Sequence, residues 1–316
     1  MTELVIAEKP SVARDIARVL GAGTRGDGCL RGNGWCITWA LGHLVHFAEP
    51  DDYGSAWAAR WSLAQLPMVP EHWRLTTDPR TASQFKIVKA LLLDRAISGV
   101  ICATDAGREG ELIFRLIAEQ AGCRKPVRRL WISSLTDEAI RDGFARLRPG
   151  QDYEALAAAA RARAQADWLV GMNLTRAYTV HNRVLCTIGR VQTPTLALIV
   201  ARDATIANFT KAFFYELVAR LAEGFEATYV EDGESRLDTR EYADRRQREI
   251  SQAIAPQQLG TVVKIERKVR TNHPPPLYDL TTLQREANRR FGFTAAKVLE
   301  LAQALYETHK LISYPR

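Results

Sequence analysis

The 316-residue sequence is long enough for two or three domains with ample core. Its 47% hydrophobic and 25% charged content is that of an ordinary globular chain, and no run approaches 18 consecutive apolar residues, so no membrane span is expected. The formal charge of +7 and a pI near 9.3 suit a polyanionic partner, yet a GC-rich coding sequence would also favour arginine over lysine, so charge alone does not decide for nucleic acid.

"LVIA" (Leu4–Ala7) predicts a short buried strand, and Pro10 and Ser11 then open a helix with Val12, Ile16, Val19 and Leu20 on one face. The N-terminal stretch carries acids inside its apolar pattern and lacks a small-residue cleavage site, so it is not read as a signal peptide, and a cytoplasmic protein is expected. "WCITWA" and "GHLVHF" read as strand or turn, "GVICAT" as a second buried strand, "ELIFRLIAEQ" as a helix and "VRRLWIS" as a third strand. Thr136 is placed to cap a further helix, with Asp137 and Glu138 in its first turn where the helix dipole favours acids. This alternation predicts a parallel sheet covered by helices. From about Asp152 an alanine-rich helix with arginines runs to Asn182. The stretch from Ala212 to Val269 reads as β-like, "NHPPPLYDL" as a hinge, and two helices follow. In the second, Val298, Leu301, Ala302 and Leu305 fall on one stripe and are expected to be buried. The five cysteines show no paired spacing and predict small buried residues, not a zinc site or a disulfide frame.

Two strands end in acids: "LVIA" delivers Glu8, then Lys9, and "VICAT" delivers Asp105, with Glu109 and Glu111 at the mouth of the next helix. Carboxylates converging at strand ends, without His or Cys nearby, are hard oxygen ligands suited to Mg²⁺. Glu109 or Glu111 alone can equally be a first-turn acid complementing the dipole, or can pair with Arg108. "VIAEKPSVARDIA" and "ATDAGREGELI" together resemble the two halves of the TOPRIM fold. The family pattern is a Glu on the first strand and Asp-x-Asp-x-Glu on the later one. Here Asp105, Gly107 and Glu109 occupy the second motif, so the middle carboxylate is absent. The resemblance implies that Glu8, Asp105 and Glu109 hold one Mg²⁺ and leaves a second in doubt.

TOPRIM domains occur in primases, nucleases and topoisomerases. "ADWLVGMNLTRAYT", "TIGRVQTPTLALI" and the segment ending "HKLISYPR" resemble the type IA DNA topoisomerases, most closely the topoisomerase III branch, in family order along the whole chain. On its own, Tyr314-Pro315 reads as a helix-ending dipeptide that holds Tyr314 out of the α region. The resemblance makes Tyr314 the nucleophile. It implies cleavage and religation of single-stranded DNA through a 5′-phosphotyrosyl intermediate, with strand passage that relaxes or decatenates DNA. Arg316 would fork the scissile phosphate, Lys9 would supply positive charge, and Glu8 would be the general acid. Thr187, Ile188, Gly189, Arg190, Val191 and Gln192 would form a DNA-contacting loop, joined by Trp61, Trp168 and Arg176. By its apolar setting Trp168 is as readily a core residue, and His43 recurs in the family without an assigned step.

The implied organisation is an α/β TOPRIM domain over residues 1–150, a parallel sheet with flanking helices. It is followed by the first part of a helical domain (151–211), of a β arch (212–274) and of a tyrosine domain (275–316) of a toroid. The partners implied are single-stranded DNA and negatively supercoiled or catenated DNA in a nucleoid-associated enzyme, with any helicase partner unspecified and no membrane. Because the sequence ends just past Tyr314, an N-terminal portion is expected, binding single-stranded DNA weakly and not relaxing supercoils alone. The alternative is a catalytically incompetent DNA-binding remnant.

Overall fold

The computed structural model describes residues 2–255 and 260–315. Two compact units divide the chain: one comprises Met1–Pro194 and Pro276–Arg316, the other Thr195–Pro275.

In chain order the first unit contains β1 (Thr2–Ala7), α1 (Pro10–Leu20), β2 (Thr24–Gly26), β3 (Cys29–Gly32), β4 (Trp35–Trp39) and β5 (Val45–Phe47). There follow α2 (Ser55–Ala58), β6 (Leu75–Thr77), α3 (Ala82–Leu93), β7 (Ile97–Ala103), α4 (Arg108–Ala121), β8 (Val127–Arg129), α5 (Asp137–Ala145), β9 (Arg148–Pro149) and α6 (Glu154–Asn182). The seven-stranded sheet runs β2-β3-β4-β1-β7-β8-β9. β1 lies between β4 and β7 and is parallel to both, with Leu4 opposite Cys36 on one side and Val100 on the other.

The apolar runs are buried on both faces because helices cover both. Leu4 and Ile6 point into one core with Val100 and Cys102, packed by Phe85 and Val88 of α3 and by Leu112, Leu116 and Ile117 of α4. Val5 and Ala7 point into the opposite core with Ile101 and Ala103, packed by Val12 and Ile16 of α1 and Ile140 of α5. Strict alternation along β1 therefore feeds two cores at once, which a run of consecutive apolar residues permits and a half-polar strand does not. Burial of each such Leu or Ile contributes about 1.5–3 kcal/mol.

The sheet is mixed, not purely parallel. β2-β3-β4 form an antiparallel meander and β9 lies antiparallel to β8. The connections from β2 to β3 and from β3 to β4 are two-residue turns with Gly28, Asn33 and Gly34 at positive φ, too short for a crossover to a parallel neighbour.

The N-terminus of α7 (Gln192–Ala207) lies at the boundary of the two units. Within the second unit the β-like reading of Ala212–Val269 holds only for a short antiparallel pair, β10 (Val218–Arg220) with β11 (Glu226–Thr228), and two bridges. Arg240–Ile254 is instead a helix, α8, capped by the Thr239 hydroxyl, which accepts from the Tyr242 N–H. Among the described residues of "GTVVKIERKV" there is no strand, and Val262, Val263 and Ile265 are largely exposed. Apolar alternation alone does not make a strand when no partner edge satisfies its backbone.

Back in the first unit, α9 (Leu280–Phe291) and α10 (Ala295–Glu307) are capped by Asp279 and Thr294. The buried stripe of α10 is Val298, Ala302 and Tyr306, whereas Leu301 and Leu305 are more than one-third exposed. An i, i+4, i+8 row, not the broader stripe expected, is buried. Tyr306 joins the core formed by α1 and α5. All five cysteines are free; Cys29, Cys36 and Cys102 are buried and the other two half-buried. No helix among the described residues is long and apolar enough to cross a membrane.

The tightest backbone approach is at Gly110, where a Cβ would sit 2.2 Å from the Asp105 carbonyl oxygen. Gly110→Ala should destabilise the protein by about 1–3 kcal/mol, the usual cost of overpacking against atoms that cannot yield. Urea unfolding checks this, and an unchanged midpoint would contradict the packing described.

Candidate active site at the carboxyl ends of β1 and β7

β1 and β7 are adjacent and parallel, so their carboxyl ends open at the same edge. β1 hands on to Glu8 and then Lys9, the N-cap residue of α1. β7 hands on to Thr104 and Asp105, and Gly107 caps α4 in an extended conformation. The two turns are tied together: the Asp105 backbone N–H donates to Glu8 Oε2 at 3.1 Å, and the Thr104 hydroxyl donates to the Gly110 carbonyl at 2.8 Å.

Beneath them lies Arg129, 1% exposed. It donates to the carbonyls of Cys102, Thr104 and Leu130 at 2.7–3.0 Å and to that of Asp105 at 2.7 Å. Its Nε is 3.1 Å from Glu111 Oε2, an ion pair without hydrogen-bond alignment, and Arg115 donates to the other Glu111 oxygen at 2.8 Å. Glu111 is thus a buried structural anion.

The chain after α10 reaches the same edge. The Tyr314 N–H donates to the Ser133 carbonyl at 2.8 Å, its ring packs edge-on against Tyr306 at 5.4 Å, and its side chain lies near enough to Asp105 to work against the rise in that carboxyl's pKa. Lys9 Nζ lies 2.5 Å from Glu307 Oε1 at the end of α10, and Lys310 pairs with Asp15 of α1. Glu8, Lys9, Asp105 and Tyr314 are therefore brought together.

The electrostatics follow from crowding acids at a partly dry edge. Burial, then the Asp105 charge, raises the Glu8 pKa against the opposing Asp105 N–H, Lys9 and His43. Burial likewise raises that of Asp105, opposed by Lys9 and by Tyr314. For Lys9, burial alone would lower the pKa, but the hydrogen bond to Glu307 and the surrounding carboxylates leave it raised. Burial also pushes the Tyr306 phenol up, with Asp105 and Tyr314 adding to the shift.

Glu109 departs from the expected cluster. It points instead to His43, whose Nε2 lies 2.7 Å away, and to Arg163 of α6. Among the described residues no three acidic, histidine or cysteine side chains converge as a metal shell. The donor chemistry of Glu8 and Asp105 nonetheless fits Mg²⁺: both are hard oxygen donors whose raised pKa a divalent cation would relieve, and Mg²⁺ commonly takes only one or two carboxylates with water completing its shell. A Cβ at Gly107 would meet nothing within 4 Å, so the position of the missing middle carboxylate is open.

The loop Thr187–Gln192 is pinned to α6, where the Ile188 N–H donates to the Thr175 hydroxyl at 2.9 Å and Arg190 donates to Asp167 at 2.6 Å. Thr187, Arg190, Val191 and Gln192 are exposed; Ile188 and Gly189 are half-buried. Two of the residues expected at the DNA are buried. Trp168 is 7% exposed, donates its indole N–H to the Ala48 carbonyl at 2.9 Å and packs among Tyr53, Trp57 and Trp73. Arg176 is 4% exposed and bonds the Trp57 carbonyl and Asp51. Its guanidinium lies over the partly exposed ring of Trp61, beside a cavity of about 420 Å³ that Ile188 also lines. Arg316 lies outside the described residues.

Sequence reasoning missed Arg129, Arg163 and Glu307. None stands in a distinctive local pattern. Only the excess of acids over cations at the two strand ends signalled that further basic side chains were needed.

The TOPRIM arrangement and a tyrosine at the sheet edge define a class, and sequence comparison agrees. The Toprim domain family matches residues 3–135 and the DNA topoisomerase family residues 151–316. The chain belongs to the DNA topoisomerase family, as a topoisomerase III-like member of its type IA branch. It is 48% identical over 313 residues to DNA topoisomerase 3 of Shouchella clausii (strain KSM-K16) and 45% identical over 313 residues to DNA topoisomerase 3 of Bacillus subtilis (strain 168), in each case spanning 99% of this chain and 42% of the relative. Full-length topoisomerase I from Thermotoga maritima shares the fold, with a TM-score of 0.63 at 22% identity over 99% of this chain and 49% of that one.

A carboxyl group with a raised folded pKa binds more protons folded than unfolded. Glu8 and Asp105 therefore cost stability as pH rises from the ordinary carboxylate range through their raised values. In a chelator, Glu8→Gln should raise the thermal unfolding midpoint at pH 8, with the gain shrinking as pH falls toward about 4. A lower midpoint at pH 8 would contradict the repulsion inferred between the two acids.

Proposed function

We propose that the chain carries the cleavage half-site of a type IA topoisomerase, with Tyr314 as nucleophile toward single-stranded DNA. The observation that carries this reading is the placing of Tyr314, through Ser133 and Tyr306, beside Asp105 in one group with Glu8 and Lys9. The phenolic oxygen attacks a backbone phosphorus, and its proton passes to Asp105, the carboxyl beside it. The bond from phosphorus to the 3′-oxygen breaks, leaving a 5′-phosphotyrosyl ester and a 3′-hydroxyl. Glu8, whose burial favours its protonated form, donates to the leaving oxygen, and the reverse transfers reseal the strand. Lys9 offsets the charge that develops on the phosphate. The ester conserves the bond energy, so no nucleotide cofactor is required.

Glu8 and Asp105 are the residues that would hold Mg²⁺, whose charge would help to fix the phosphate. Glu109 would join them only by leaving His43 and Arg163. The exposed Arg190 and Gln192, with Trp61, are the proposed contacts to the DNA backbone and bases. Supercoiled or catenated DNA is the proposed substrate of the whole protein, with relaxation or decatenation by strand passage.

Incubation with labelled single-stranded DNA and Mg²⁺, quenched by denaturant, should give DNA-linked protein. Tyr314→Phe should abolish that band while leaving DNA affinity within about twofold, since one hydroxyl contributes little to a contact dominated by phosphate charge. A band that persists in the variant, or a protein that neither binds nor cuts DNA, would overturn the reading.

The open space at Gly107 gives an independent test of the metal. Gly107→Asp should fold normally and tighten Mg²⁺ binding by roughly tenfold, about 1.4 kcal/mol, in a calorimetric titration without DNA. Unchanged affinity would argue that the ion is not held beside Asp105.

A further inference from the structure

Lys9 is heavily outnumbered. Glu8 and Asp105 at the strand ends and Glu307 from α10 all act on its single ammonium. The first two carboxylates lie elsewhere: Glu8 accepts from the Asp105 backbone, and Asp105 sits beside Tyr314. The contact of Glu307 is with Lys9, at 2.5 Å and with both side chains only one-quarter to one-third exposed.

The position of Glu307 is also unfavourable by local rules. It is the last residue of α10, whose final turn carries no basic residue. An acid at a helix C-terminus opposes the dipole, typically by about 0.3–1 kcal/mol. Tertiary contacts nevertheless deliver it to Lys9. Val298, Ala302 and Tyr306 bury one face of α10, with Tyr306 in the core formed by α1 and α5, Lys310 is clamped to Asp15, and the Tyr314 N–H is fixed to Ser133.

A scissile phosphate that reaches Tyr314 must approach a lysine whose charge is already taken by a carboxylate. We propose that Glu307 is a stand-in for the DNA phosphate, a positioning residue that holds Lys9 at the nucleophile and surrenders it when a backbone phosphate arrives. The idea rests on the DNA-cleavage reading above. It deepens that reading by making phosphate entry an exchange of one oxyanion for another on Lys9. Glu307 acts through Lys9 and takes no part in bond making.

The test is binding of a fluorescent oligothymidylate at low salt without Mg²⁺, for the unsubstituted protein, Glu307→Gln, Lys9→Gln and the double variant. Unfolding midpoints show that each is folded. Removing the competing anion should tighten binding roughly three- to tenfold, as expected for a partly exposed charge pair. In the Lys9→Gln background the same substitution should give no gain, because the cation over which the two anions compete is gone.

A gain of equal size in both backgrounds would mean that Glu307 merely adds negative charge near DNA and would overturn the proposal. Weaker or unchanged binding by Glu307→Gln alone would overturn it as well. Failure of all four proteins to bind the oligomer would instead remove the DNA reading itself, and the stand-in with it.

Discussion

The buried Arg129–Glu111 pair is the constraint on which the rest of the site depends. One guanidinium gathers the carbonyls that end β7, the carbonyl of Asp105, the residue after β8 and an acid from the first turn of α4. Burying these charges carries a large desolvation cost, and removing one partner of such a pair typically costs about 3–5 kcal/mol because the other is left unpaired. The arrangement persists because carbonyl oxygens point inward where β7 and β8 end, and one flat five-donor group reaches four of them at once, those of Cys102, Thr104 and Asp105 around the end of β7 and that of Leu130 after β8. Gly110 completes the turn by allowing backbone to lie on backbone.

With that turn fixed, the chemistry above it is governed by an imbalance of charge. Two carboxyl groups sit close together at a partly dry edge, where burial raises both pKa values, the Asp105 charge adds to the rise of Glu8 and the Glu307 charge to that of Asp105. A group that must give a proton, a group that must take one and a site that welcomes a divalent cation can all be made from the same two acids. The phenol and the lysine enter from opposite ends of the sequence, and the tail after α10 brings them together through ordinary contacts: an edge-on ring pair, an ion pair and one backbone hydrogen bond.

The parts of this arrangement legible in the sequence were those with strong local signals. β1 and β7 announced themselves as apolar runs ending in acids, and Thr136, found capping α5, as a cap before a helical pattern. The antiparallel meander β2-β3-β4 was only partly visible because its strands are short and its turns rest on glycine and asparagine backbone preferences. α8 was hidden by neighbouring β-like alternation, since polar helices carry little periodic signal. Glu109 was legible as an acid near the site but not as the partner of His43 and Arg163, because that choice depends on a helix more than 50 residues away. Trp168 and Arg176 were ambiguous for the opposite reason. Their residue types suit both a DNA surface and a core, and only packing against the Tyr53 and Trp57 region decided for the core.

α6 carries a mechanical consequence. Arg163 and Asp167 are successive members of one helix face, a rise of about 6 Å apart. The first grips Glu109 at the mouth of α4; the second grips Arg190 in the loop before α7. Trp168, the next residue, is bolted to the Ala48 carbonyl. One turn of helix thus works as a clutch plate: it holds the acid at the sheet edge and the outer loop from the same face, so a slip or rotation of α6 would load both contacts together.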